Sequence, residues 1–161
     1  VAPNRETNHG DVFSFGDVTL RIHHYGLAHT PGDICVEVVE DQLTHVGDVA
    51  MDRRIANMDD GSYVGTFHFY DELEKNAPSR IWVPGHGHAS AEVLKWNREL
   101  FEGIYQNCVR AVEDGADMAS ARERVLADPR VASRAADTAG FESNIGKYVS
   151  LAYLEAEREA F

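Results

Sequence analysis

Apolar and polar positions change rhythm near residue 90. Upstream, short apolar runs alternate with polar residues and are punctuated by Gly. Val18, Leu20 and Ile22 alternate with polar neighbours, the period-two pattern of a half-buried strand. Residues 34–39 (Ile-Cys-Val-Glu-Val-Val) predict another strand, Glu40-Asp41-Gln42 a turn, and residues 43–46 the return strand, ending at Gly47-Asp48. Residues 81–83 predict a short apolar strand stopped by Pro84. Between them, residues 62–76 read as a helix: Ser62 suits the N-cap, Val64, Phe67, Tyr70 and Leu73 recur at helical spacing, and Pro78 ends the segment.

Beyond residue 90 the chain reads as helical. Ser90 suits an N-cap, Val93, Trp96, Leu100, Ile104 and Cys108 form one stripe, and Gly115 suits the C-terminal stop. Residues 118–127 predict a second helix between an Asp117 cap and Pro129. Residues 143–160 predict a third, carrying Ile145, Tyr148, Val149, Ala152 and Tyr153. No repeat, low-complexity stretch or obvious linker divides these parts. The expectation is one α/β domain over residues 1–161, with a β-rich half (1–90) and a helical C-terminal extension (91–161).

Apolar content of 43% and charged content of 26% are ordinary for a globular chain. The formal charge of -12 argues against a nucleic-acid-binding surface, which needs clustered Lys and Arg. It does not exclude a metal-dependent nuclease, whose local field comes from its ions. No apolar run reaches membrane-spanning length, so no membrane partner is expected, and a soluble, cytoplasmic protein is favoured. Cys35 and Cys108 form no CxxC pair and are expected as two buried thiols.

Three blocks carry the candidate chemistry. Ala28-His29-Thr30-Pro31-Gly32-Asp33, Val46-Gly47-Asp48 and Pro84-Gly85-His86-Gly87 each follow an apolar run. Each is expected to place one metal-competent side chain, His29, Asp48 or His86, at a strand end. Neutral imidazole and carboxylate are ordinary ligands for Zn and non-haem Fe, and a neighbouring Gly lets backbone approach closely. Asp33 could orient His29 or touch a small-molecule substrate; its plainer reading is a turn carboxylate. His88, two residues beyond His86, could face the same side. His23 and His24 suit a supporting or surface role, His45 and His68 a structural one, and His9 a solvated one. Asp52, Arg53 and Arg54 belong on the rim.

Read in order over about residues 18–90, these blocks resemble the third, fourth and fifth metal-binding motifs of the metallo-β-lactamase superfamily. The segment after His29 resembles zinc-hydrolase branches of the quinoprotein-relay type. The resemblance implies that His29 ligates a first metal, Asp48 bridges two, and His86 ligates the second, with one or two Zn ions as cofactor. It implies half of an αββα sandwich, because the superfamily's upstream His-x-His-x-Asp-His signature, which supplies further ligands, is absent here.

Half a sandwich leaves an apolar sheet face uncovered, which demands a partner: the missing N-terminal half or a second copy in a homodimer. The start at Val1 without Met suits a chain trimmed or cut from something longer. With only three ligands, weak metal binding alone is expected. The alternatives are a non-enzymatic self-associating half-domain and an Fe-dependent thiol or persulfide dioxygenase of the same fold.

Overall fold

The computed structural model describes residues 5–160. Among them, five strands form one sheet in the order β1-β2-β3-β4-β5. The strands are β1 (Val12–Phe15), β2 (Val18–His23), β3 (Cys35–Val38), β4 (Leu43–Gly47) and β5 (Ile81–Pro84). β1 to β4 form an antiparallel meander. β5 pairs parallel with β4, and the crossover this requires is supplied by helix α1 (Tyr63–Asn76). Then come α2 (Val93–Glu113), α3 (Met118–Ala127), α4 (Pro129–Ala135) and α5 (Phe141–Ala160). This is the expected mixed α/β arrangement with a helical C-terminal extension.

Most elements form where the pattern puts them, with instructive shifts. Ser62 caps α1 through a side-chain oxygen that accepts from Gly65 N–H at 2.9 Å. The buried stripe of α1 is Tyr63, Thr66, Phe69, Tyr70 and Leu73, whereas Val64 is 42% exposed. Of the expected stripe Val64, Phe67, Tyr70 and Leu73, only Val64 points away, because α1 turns Phe69, Tyr70 and Leu73 to the sheet cluster and Tyr63 and Phe67 to the helical cluster. Ser90 does not cap α2: its backbone pairs with Trp82, and α2 begins after Glu92 with no side-chain cap. Pro129 opens α4 at its first turn, with Asp128 as cap, a position that suits a residue lacking N–H. Strand β1 and helix α4 carry patterns too short to stand out.

Directly opposed residues share a sheet face, so the register sorts the side chains. One face carries His23, Cys35, Glu37, Thr44, Val46 and Trp82, all buried. α1 and the start of α2 cover it with Phe69, Tyr70, Leu73, Val93 and Leu94. The other face carries Phe13, Leu20, Ile22, Val36, Val38, Leu43, His45 and Val83. None of these belongs to either hydrophobic core cluster. The second cluster joins α2, α3, α4 and α5 to Ile55, Met58 and Tyr63.

A buried carboxylate ties this helical cluster to α1. Glu155 of α5 is 5% exposed. It accepts hydrogen bonds from Ser62 Oγ (2.5 Å), Tyr63 N–H (2.7 Å) and Val64 N–H (3.2 Å) at the start of α1. First-turn N–H groups have no partner within their own helix, and the helix dipole favours an anion there. Among the described residues no helix is long and apolar enough to cross a membrane.

Glu155→Ala is expected to lower unfolding free energy by about 3 kcal/mol in chemical denaturation, because it orphans buried donors of a charged acceptor; Glu155→Gln costs less. Asp128 is held well below the usual carboxylate range by hydrogen bonds from Arg130 and Asn107 and by the Arg130 charge. A carboxyl lowered in the folded state stabilises at pH above its unfolded value of about 4, and that stability is lost as pH falls below it. Asp128→Asn is therefore expected to flatten a stability-versus-pH curve below about pH 4 and to leave its slope near neutral pH unchanged.

Candidate metal centre

β2, β4 and β5 run in the same direction, since β3 is antiparallel to both β2 and β4. Their C-terminal ends therefore share one sheet edge, the usual place for a ligand in such sheets. Asp48 directly follows β4, and His86 lies just past β5. His29 does not sit at a strand end as expected: it lies within the long loop between His23 and Cys35. That loop must therefore be fixed by its own contacts.

It is fixed at both sides of His29. Ala28 is fully buried, and its carbonyl accepts from Ser62 N–H at 2.9 Å, at the cap of α1. Gly65 permits this approach, because a Cβ there would collide with Leu27 O. Beyond His29, the Asp33 carboxylate accepts from Thr30 N–H (2.6 Å) and Thr30 Oγ1 (2.8 Å), closing the Thr-Pro-Gly-Asp turn.

The other two loops pack through glycine as well. Gly85 N–H donates to Gly47 O at 2.7 Å, and a Cβ on Gly85 would strike Asp48 Oδ1. Gly87 has φ +96°, a left-handed conformation that glycine adopts without strain, and a Cβ there would strike the backbone of Asp52. Asp52 in turn donates its N–H to His86 O (2.9 Å) and accepts from His88 N–H (3.1 Å).

The result places one imidazole on each oxygen of a single carboxylate. His29 Nε2 lies 3.9 Å from Asp48 Oδ2, and His86 Nε2 lies 3.5 Å from Asp48 Oδ1. Two donors each about 2.0–2.2 Å from one tetrahedral cation stand about 3.3–3.6 Å apart, so the His86 gap matches in chemistry and spacing and the His29 gap is a few tenths of an ångström wide. The donor count falls short, however. Each position has one imidazole and a shared carboxylate, whereas zinc sites use three or four protein ligands. Among the described residues, no group of three or more His, Cys, Asp or Glu gathers closely enough to hold an ion.

The helical extension supplies a wall that the motif blocks did not disclose. A narrow pocket beside His29 and Asp48 is lined by Thr66 of α1, Asn97 and Phe101 of α2, Tyr148 of α5, and Arg54. Tyr148 is 2% exposed. Burial pushes its phenol up to about 12, a backbone hydrogen bond from Ala56 opposes this, and the Asp48 charge adds to it. It is therefore a neutral donor at physiological pH. Asn97 donates to Met51 O and fixes the loop leaving Asp48. Only Arg54 among these was legible as a rim residue. Tyr148 was visible merely as a member of an apolar helical stripe.

The remaining histidines divide otherwise than expected. His88 is exposed. His23 is buried, with Nε2 2.9 Å from Glu37 Oε2 and Nδ1 3.0 Å from Tyr25 OH. His45 and His68 are exposed rather than structural, because the outward sides of β4 and α1 carry them. His9 is exposed, as expected, while its ring tilts against Tyr25 at 4.9 Å and accepts from His24 N–H at 3.2 Å.

No protein-family model and no curated protein matches this chain. Solved structures do. One is a metallo-β-lactamase from Pontibacter korlensis, with TM-score 0.58 and 19% identity over 63% of this chain and 50% of that one. Another is the crystal structure of VMB-1 at pH 5.5, with TM-score 0.50 and 19% identity over 60% of this chain and 46% of that one. The chain thus spans about half the length of the solved structures it matches. At 19% identity the likeness speaks for the fold: over about 60% of its length, this chain has the α/β fold of metallo-β-lactamase structures.

Proposed function

We propose that this chain is the C-terminal half of a metal-dependent hydrolase of the metallo-β-lactamase superfamily. The observation that carries the reading is the placement of His29 and His86 on opposite oxygens of Asp48. That geometry suits a carboxylate shared between two cation positions, each with one imidazole. Zinc is the first candidate, and iron suits the same donors. Since three side chains supply too few donors for two ions, further donors come from a second α/β unit.

A bound cation of this kind supplies Lewis acidity to a substrate oxygen and acidifies a water molecule. The chain's own residues do the rest. Asp33 and the Ala28–Ser62 hydrogen bond orient the His29 loop, and Gly85 lets Asp48 reach its place. Tyr148 offers a neutral hydroxyl to the pocket, and Arg54 offers positive charge at its rim to an anionic group on a small-molecule substrate.

Zinc titration by calorimetry tests the donors. Wild type is expected to bind zinc, and His29→Ala, Asp48→Asn and His86→Ala are each expected to abolish or sharply weaken binding. Gly85→Ala is expected to displace the Asp48 carboxylate and weaken binding while leaving the far-UV circular dichroism intact. Undiminished zinc affinity in Asp48→Asn would sink the reading.

A further inference from the structure

The loop that leaves Asp48 enters the core. Val49, Ala50 and Met51 are all buried, although they lie beyond the end of β4 and outside every strand. Loops ordinarily run over the surface, because buried backbone carbonyls need partners. Here two helices supply them. The Tyr70 hydroxyl of α1 donates to Val49 O at 2.7 Å, and the Asn97 side-chain amide of α2 donates to Met51 O. Both donors are themselves buried, Tyr70 completely. Val49 O is the one hydrogen-bond partner of the Tyr70 hydroxyl among the described residues. A buried hydroxyl is costly unless it is bonded, and Phe69 and Leu73 fill neighbouring core positions of the same helix. Packing therefore accounts for the ring of Tyr70, and Val49 O accounts for its oxygen. Burial pushes the phenol well above its ordinary value, so the oxygen stays a donor. The Arg98 guanidinium of α2 lies over the ring, 5.5 Å from its centre.

We propose that Tyr70 and Asn97 are positioning residues for Asp48: from inside the core they fix where its carboxylate stands between His29 and His86. The proposal rests on the reading of those three side chains as metal ligands. Asp48 immediately precedes Val49, so the backbone that carries the carboxylate is held on both sides. Before it, Gly47 O accepts from Gly85 N–H at 2.7 Å. After it, α1 pins Val49 O, α2 pins Met51 O, and Asp52 N–H donates to His86 O at 2.9 Å. The carboxylate has little slack, since a single Cβ on Gly85 would strike its Oδ1. Groups that hold a ligand in place change metal affinity about 10–100-fold when removed. Tyr70 and Asn97 also couple the centre to the helices: a shift of α1 or α2 moves Val49 or Met51, and Asp48 with them.

Amide hydrogen exchange in EDTA and zinc titration by calorimetry, run on the same variants, test this. Tyr70→Phe removes one oxygen. Tyr153→Phe is its matched control: it removes the same kind of bond, from Tyr153 OH to Ala116 O at 2.7 Å, just past the C-terminal end of α2 and so at the end opposite Asn97. In EDTA, Tyr70→Phe is expected to speed exchange of residues 49–52 about fivefold, and Tyr153→Phe to leave them unchanged. Tyr70→Phe is expected to weaken zinc binding about tenfold with intact far-UV circular dichroism. Asn97→Ala, which releases the other carbonyl, is expected to do the same, and it tests the second anchor independently should Tyr70→Phe fail to fold. Tyr153→Phe is expected to keep wild-type affinity. Wild-type zinc affinity in both Tyr70→Phe and Asn97→Ala overturns the proposal and leaves the metal reading standing, and unchanged exchange at residues 49–52 overturns it as well. Equal weakening in Tyr153→Phe also overturns it, because lost stability then explains the effect. A wild-type protein that binds no zinc, while Tyr70→Phe still speeds exchange at residues 49–52, overturns the metal reading and leaves the anchored loop.

Discussion

The carboxylate of Glu155 at the start of α1 holds the two parts of this molecule in one frame. It is nearly inaccessible, and three donors from Ser62, Tyr63 and Val64 converge on it. A buried carboxylate is tolerable only with such compensation, and the helix N-terminus supplies both hydrogen bonds and favourable dipole. Tyr63 adds a second tie, donating its hydroxyl to Tyr148 O at 3.0 Å. The same first turn also binds the His29 loop, through Ser62 N–H to Ala28 O. The helical extension is therefore part of what sets the position of the first candidate ligand.

Close backbone approach at the strand ends depends on missing side chains. Gly85 leaves room for the Asp48 carboxylate, Gly65 for the carbonyl of Leu27, and Gly87 for the backbone of Asp52. Hydrophobic burial alone is non-directional and could not bring three polar loops to within 4 Å of one another. Hydrogen bonds between loop backbones do so, with the parallel β4–α1–β5 unit delivering two of the three loops to the same edge. Asp33 has a local role in this frame: both its oxygens are occupied by Thr30.

Two features bear on the proposed reading from different sides. The centre has one imidazole per carboxylate oxygen, and the sheet beside it has an apolar face outside both core clusters. A sheet is stable in water when its apolar face is covered, and a zinc centre when its coordination is filled. On the proposed reading, one additional α/β unit laid on this face would meet both conditions, because the face and the strand ends share an edge.

Much of the fold was legible in the sequence. The alternation in residues 18–22, the hairpin through Glu40-Asp41-Gln42, the Ser62 cap and the stripes of α2 and α5 all express short-range physics, since each element's period is set by its own backbone. The residue types and order of His29, Asp48 and His86 were legible too. Their spacing about Asp48 was not, because His29 lies mid-loop and is held by an α1 cap that is in turn held by Glu155, 93 residues beyond Ser62. Tyr148 likewise reads as an apolar position of a helix; only packing turns it toward Asp48. The sequence by itself determined which side chains are metal-competent and most of the strands and helices that flank them. Tertiary structure alone decided which of them meet, because hydrogen bonds and glycine-sized gaps between distant segments have no local period to read.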